Sequence, residues 1–228
     1  MRQLNVETLT HGRVLVEDPE RSRGVEDAAG WLIGFHGYGQ SAEDMFAELQ
    51  RLNADGAWSI AAPQALHRFY TRGDERIVAS WMTRQDRELA VADNVEYCNR
   101  LLGSHLEWQH PAAADAPPLV FAGFSQGAAM AYRAAVLGRF AARAVVALAG
   151  DLPPEVRAAD PAILRRQLGR VLIGAGVRDG WFTVARADAD AAVLAAAGVP
   201  HEVVRFDGGH EWHDDFRNAV RDALAALA

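Results

Sequence analysis

Leu119-Val120-Phe121-Ala122 is followed by Gly123-Phe124-Ser125-Gln126-Gly127 and then by Ala128-Ala129-Met130-Ala131-Tyr132-Arg133-Ala134-Ala135. The order is a short apolar run, a G-x-S-x-G turn and a small-residue segment of helical character, which is the setting for a serine held on a sharp strand-to-helix turn. Side chains beside Ser125 would collide with the strand and helix, so Gly123 and Gly127 flank it. The geometry predicts a strained Ser125 with its hydroxyl above the sheet edge. Neighbouring backbone N–H groups would point the same way, at a helix start that favours negative charge.

Outward from that turn, apolar runs alternate with helical patterns. Trp31 to Phe35 reads as a strand buried on both faces, ending in His36-Gly37-Tyr38-Gly39-Gln40. Ser41 and Asp44 fit a capping box, and Met45, Phe46, Leu49 and Leu52 form a helical stripe. Further strands are expected at residues 57–61 (closed by Pro63), 144–148, 170–175 and 202–206, and helices at 86–108, 182–197 and 212–227. Residues 4–10 and 13–16 suggest a hairpin turning at His11-Gly12, residues 17–27 and 111–118 read as loop and linker, and residues 64–85 lose all periodicity. A loop that long inside a compact domain is usually functional, so Phe69 and Trp81 become candidates for lining a substrate site. The alternation predicts an α/β fold with a mainly parallel sheet, and with no repeat or boundary in view the expectation is a single domain over residues 1–228.

The formal net charge of −7 over 228 residues argues against a nucleic-acid partner and against docking on an anionic membrane. No apolar run reaches membrane-spanning length, so membrane insertion is not expected. The amino terminus lacks a signal-peptide core, and the lone Cys98 forbids an internal disulfide, which together suggest a cytoplasmic location. Cys98 itself reads as a packed helix residue.

In open α/β sheets chemistry collects at the carboxyl ends of strands. Ser125, Asp179 and His210 each follow a strand, in the order used by G-x-S-x-G hydrolases. A serine hydroxyl needs a base to become a nucleophile, and His210 is the candidate, with Asp179 to fix its tautomer and stabilise its positive charge. Asp151 is an alternative acid and His213 an alternative base, while His36 reads as a structural group bonding its loop. The N–H groups of Tyr38 and Gln126 would hold an oxyanion, each contributing roughly 3 kcal/mol in comparable sites. His210-Glu211-Trp212-His213 is too short for the H-E-x-x-H zinc pattern and no phosphate-binding lysine follows Gly39, so neither a metal site nor a phosphate-binding loop is expected.

Taken together, His-Gly-Tyr-Gly-Gln at 36–40, Gly-Phe-Ser-Gln-Gly at 123–127, Gly-Val-Arg-Asp at 176–179 and Gly-Gly-His at 208–210 resemble the phospholipase/carboxylesterase family of small α/β-hydrolases. The resemblance runs from about Leu32 to the end. It implies an α/β-hydrolase fold without a large lid domain and a cofactor-free serine esterase acting on short or medium acyl esters or thioesters. By motif it makes Ser125 the nucleophile, Asp179 the acid and His210 the base, with Tyr38 and Gln126 at the oxyanion positions. A homodimer is one arrangement open to such a protein. Gly127-Ala128 stands where the family usually has Gly-Gly, and Tyr38 where leucine is commoner. A serine peptidase or a dienelactone-type hydrolase on the same scaffold is the enzymatic alternative, and a non-catalytic binding protein the alternative from another class.

Overall fold

The computed structural model describes residues 1–18, 28–73, 75–106 and 117–228. Among the described residues nine strands are arranged in two sheets. The larger has the order β1 (Arg13–Glu17), β3 (Ser59–Gln64), β2 (Trp31–Phe35), β6 (Leu119–Phe124), β7 (Ala144–Leu148), β8 (Arg170–Gly176) and β9 (His201–Phe206). All of its pairs are parallel except β1 with β3. The central strands bear Val, Ile, Leu, Phe and Ala on both faces because helices cover both faces. On one side α1 (Ala42–Leu52) packs against α7 (Asp214–Ala225). The others meet in series: α2 (Arg87–Arg100) with α3 (Gln126–Val136), α3 with α5 (Pro161–Leu168), and α5 with α6 (Val184–Ala197). The short α4 (Pro154–Arg157) leans on α3. Phe35, Phe121, Met130, Tyr132 and Phe216 are wholly buried in the core between these layers.

The capping box at α1 is present as expected: the Ser41 hydroxyl accepts from the Asp44 N–H at 3.3 Å while the Asp44 carboxylate accepts from the Ser41 N–H at 2.8 Å. Helices α4 and α5 lie in a stretch for which the pattern carried no expectation. Their signal is local: Pro154 and Pro161 sit at first helical positions, and the Asp160 side chain caps α5 by accepting from the Ala162 N–H.

Four expectations need correcting. Residues 4–10 form no strand, and β1 pairs with β3 instead, because the edge of a large sheet offers Val14 and Leu15 burial that an isolated hairpin cannot. The strand expected at 57–61 runs as Ser59–Gln64 through Pro63; the ladder with β2 stops at Ala61, so the missing N–H of Pro63 interrupts nothing there. Residues 64–85 contain an antiparallel hairpin of β4 (His67–Tyr70) and β5 (Ile77–Ser80), with Phe69 opposite Val78. All four residues of β4 are exposed, which removed the alternation that marks a strand. The helix expected over 86–108 ends as α-helix at Arg100 and continues as a π turn over Leu101–His105; its last two positions, and most of the loop and linker expected at 17–27 and 111–118, fall outside the described residues. Cys98 is buried in α2 as expected, and burial pushes its thiol up to about 12, which leaves it unreactive.

Among the described residues no helix is long and apolar enough to cross a membrane.

Candidate active site

Ser125 sits between β6 and α3 with φ 55° and ψ −117°, a conformation that non-glycine residues avoid. Three contacts hold it there. Its N–H donates to Leu148 O at 2.8 Å, tying the turn to the end of β7. A Cβ on Gly123 would overlap the backbone of Gly127, and a Cβ on Gly127 would overlap the carbonyl oxygens of Phe35 and His36. The turn therefore closes only with glycine at both places. Replacing Gly127 by alanine must push α3 away from the end of β2, and a loss of about 3 kcal/mol of folding stability is expected. Urea denaturation checks this, and a shift below about 0.5 kcal/mol contradicts it.

The structure brings together three of the residues expected from the sequence. His210, in the loop after β9, has Nε2 2.8 Å from Ser125 Oγ and Nδ1 2.7 Å from Asp179 Oδ2. Asp179, in the loop after β8, has a fully buried side chain whose Oδ1 accepts from the N–H groups of Trp181 (2.7 Å) and Phe182 (3.0 Å). Three donors thus converge on one carboxylate, which is what keeps a buried negative charge tolerable. The His210 ring rests on Phe124, centroids 5.0 Å apart. The two alternatives are placed elsewhere. Asp151 pairs with Arg186, and His213 stacks on Phe206 and caps α7 through the Asp215 N–H, ahead of the helix rather than inside it.

His36 is buried, and its protonation state follows from its partners. Nε2 lies 3.1 Å from the Ala65 N–H and must accept, so Nδ1, 2.7 Å from Gly37 O, carries the proton. The ring is neutral and pins the 36–40 loop to β3, the structural role expected of it. Burial lowers its pKa from the ordinary 6.5. Because the unfolded chain takes up this proton more readily, the stabilising contribution is complete above about pH 6.5 and is lost as pH falls below it. Stability should therefore decline between pH 7 and 5.5, with a smaller decline in His36→Gln; equal pH slopes in denaturant titrations contradict this.

The loop from Gly37 to Gln40 leaves one backbone donor unspent. The Gly37 N–H donates to Gln40 Oε1 and the Gly39 N–H to Ala79 O, while the Tyr38 N–H between them has no acceptor among the described residues. The Gln126 N–H, at the first position of α3, likewise has none.

Sequence reading missed the side chain of Gln126. Its Oε1 accepts from the Trp81 N–H at 2.8 Å and its Nε2 donates to Met82 O at 2.9 Å, strapping the segment after β5 to the Ser125 turn. Asn94 of α2 adds a bond to Trp81 O. Trp81 is 0% exposed, with its indole N–H on His36 O and its ring edge-on to Phe35. The expectation that it lines a substrate site is thus corrected: the ring supports the 36–40 loop from within the core. Phe69 lies on the surface, its ring 5.6 Å from that of Tyr38.

A cleft of about 430 Å³ opens at Ser125 and His210, walled by Met82, Ala129, Pro153, Trp181 and Phe182 and bordered by Arg87, Arg133, Arg186 and Asp151. A larger hollow of about 750 Å³, between the amino-terminal segment and the π turn, includes none of the strand-end residues. No group of three metal-ligating side chains occurs among the described residues.

Comparisons to known proteins bear on the family and the fold. A family model described as phospholipase/carboxylesterase matches residues 22–225. Among solved structures, acyl-protein thioesterase 2 of Zea mays has a TM-score of 0.70 at 19% identity, covering 95% of this chain and 99% of that one. A phospholipase/carboxylesterase of Dyadobacter fermentans has a TM-score of 0.68 at 19% identity, covering 97% and 100%. A carboxylesterase of Mesorhizobium loti has a TM-score of 0.65 at 20% identity, covering 87% and 90%. No curated protein matches the chain. At these identities the structural likenesses speak for the fold alone, and the match over most of the sequence speaks for the family. The chain belongs to the phospholipase/carboxylesterase family of hydrolases and has the α/β-hydrolase fold.

Proposed function

We propose that this protein is a serine hydrolase that cleaves short- to medium-chain carboxylic esters or thioesters through an acyl-enzyme intermediate. The observation that carries the reading is the hydrogen-bonded series Ser125–His210–Asp179, with spacings of 2.8 and 2.7 Å, at the carboxyl ends of three strands. In the first half-reaction Ser125 Oγ attacks the ester carbonyl as His210 Nε2 takes its proton. Asp179, acceptor to Nδ1–H, stabilises the imidazolium so formed. The carbonyl oxygen gains the charge and is held by the N–H groups of Tyr38 and Gln126, whose lack of other acceptors among the described residues supports this role. As the tetrahedral species collapses, the bond to the leaving oxygen or sulfur breaks and His210 returns the proton to it. Water then repeats the sequence on the acyl-enzyme, releasing the acid and free Ser125.

No step draws on a metal or cofactor. The exposed pair of Tyr38 and Phe69 beside the oxyanion loop is read as an apolar edge for the substrate. The partner is a small ester or thioester; nucleic acid and membrane insertion have no place in the reading, and a homodimer is compatible with it. A reducing, cytoplasmic setting suits a protein whose one cysteine is free and buried.

The test is a panel of p-nitrophenyl esters from acetate to decanoate, beside acyl thioesters, peptide amides and lactones. Esters or thioesters of the shorter chains should turn over fastest. Preference for amides would favour a peptidase on this scaffold, preference for lactones a dienelactone-type enzyme, and no turnover of any of them a binding protein.

A further inference from the structure

Helix α3 carries more than the serine. Ser125, Ala129 and Arg133 follow one another at four-residue spacing and so share a face, and all three border the cleft. Ala129 contributes only a methyl group, leaving the floor of the cleft open between the serine and the arginine. Arg133 is 2% exposed, and its Nη1 is buried with no hydrogen-bond partner among the described residues. Its Nε donates to Glu155, but that carboxylate is shared with Arg87, whose Nη2 lies 2.9 Å from it. Arg186, paired with Asp151, borders the same cleft. Three guanidinium groups therefore stand over two carboxylates, in a chain whose net charge is −7. A buried guanidinium N–H without an acceptor is costly, and a carboxylate is its best-matched partner.

We propose that the substrate is an ester or thioester bearing a second, anionic group, a carboxylate that Arg133 holds at the far end of the cleft. The proposal rests on the hydrolase reading above and narrows its substrate class. Arg133 lies eight positions beyond Ser125, a rise of roughly 12 Å, and a long side chain on a helix reaches back toward the helix start by about one turn. The remaining separation of roughly 7 Å suits hemiesters of about five- or six-carbon diacids. The carboxylate sits either on the acyl part or on the leaving alcohol, and the two are separable by experiment.

Values of kcat/KM for p-nitrophenyl hemiesters of glutarate and adipate are to be compared with those for p-nitrophenyl valerate and hexanoate, after subtracting the uncatalysed rate that a neighbouring carboxylate accelerates. A second arm compares the acetyl ester of 4-hydroxyphenylacetate with 4-tolyl acetate. On one arm the carboxylate-bearing ester should be favoured roughly 10- to 100-fold. Arg133→Met should bring that ratio close to one, and Arg133→Lys, which keeps the charge but loses the planar fork, should lower it several-fold. The ratio is the readout, so a general change in activity does not imitate the effect. If Arg133→Met does not fold, the wild-type ratio and the lysine variant decide. Neutral esters cleaved with no carboxylate preference on either arm, or a preference unchanged in Arg133→Met, overturn the proposal and leave the hydrolase reading standing; Arg133 then serves only to fasten α3 to α4 through Glu155. If neither kind of ester is cleaved, the hydrolase reading fails and this one falls with it.

Discussion

Replacing Ser125 by alanine should lower kcat for p-nitrophenyl butyrate by roughly 10⁴- to 10⁶-fold while the protein stays folded. The substitution deletes one oxygen and little else. The turn is held by the Ser125 N–H on Leu148 O and by the glycines on either side, none of which the hydroxyl supports. Loss of the nucleophile leaves His210 with no proton to take, and any residual rate comes from polarisation of the carbonyl by the Tyr38 and Gln126 N–H groups and from binding. Because the two side chains act as a unit, the double substitution Ser125→Ala/His210→Ala should be no slower than Ser125→Ala alone, within about a factor of three. Steady-state rates of the purified variants, with unfolding midpoints alongside, check both statements. A fall of less than about 100-fold in a folded Ser125→Ala protein would remove Ser125 from the mechanism.

The second large effect is expected at Asp179→Asn, and its direction follows from hydrogen-bond donors alone. The Trp181 and Phe182 N–H groups both point at Oδ1, so the asparagine carbonyl must take that place. Its NH₂ group then occupies the Oδ2 position, 2.7 Å from His210 Nδ1. Two donors cannot face each other, so Nδ1 gives up its proton and Nε2 takes one. The ring would then donate to Ser125 Oγ instead of accepting from it. Shape and packing are preserved while the base is lost, and kcat should fall by about 10⁴-fold with little change in stability. A decrease of less than about tenfold would mean that the His210 tautomer is set by something other than Asp179.

Most of the framework was legible because buried parallel strands leave a plain mark. Trp31–Phe35, Leu119–Phe124, Ala144–Leu148 and Arg170–Gly176 are nearly continuous apolar runs, since each is covered on both faces. The polar residues after them had to lie at one edge of the sheet, which is why Ser125, Asp179 and His210 were found together. Other parts were hidden for physical reasons. His67–Tyr70 faces solvent throughout, so β4 has no alternation to read. Arg13–Glu17 pairs with a strand more than forty residues away, a choice that local turn residues cannot announce. Trp81 falls in the stretch without periodicity, which is what made it a candidate for lining a substrate site. Its ring is instead buried, and polar groups bond the backbone around it: the Ser80 hydroxyl donates to Met82 O at 2.6 Å, and Gln126 and Asn94 take the Trp81 N–H and carbonyl. Arg133 could have been noticed from the sequence, eight residues beyond the serine and therefore on its helix face, but nothing in the sequence shows that one of its nitrogens lacks an acceptor.

Incubation with a fluorophosphonate, followed by intact mass and peptide mapping, addresses the central claim most directly. A serine activated by His210 should take up one equivalent, on Ser125 and nowhere else, with no uptake in Ser125→Ala. No adduct on the folded wild-type protein, or an adduct on another residue that persists in Ser125→Ala, would contradict it.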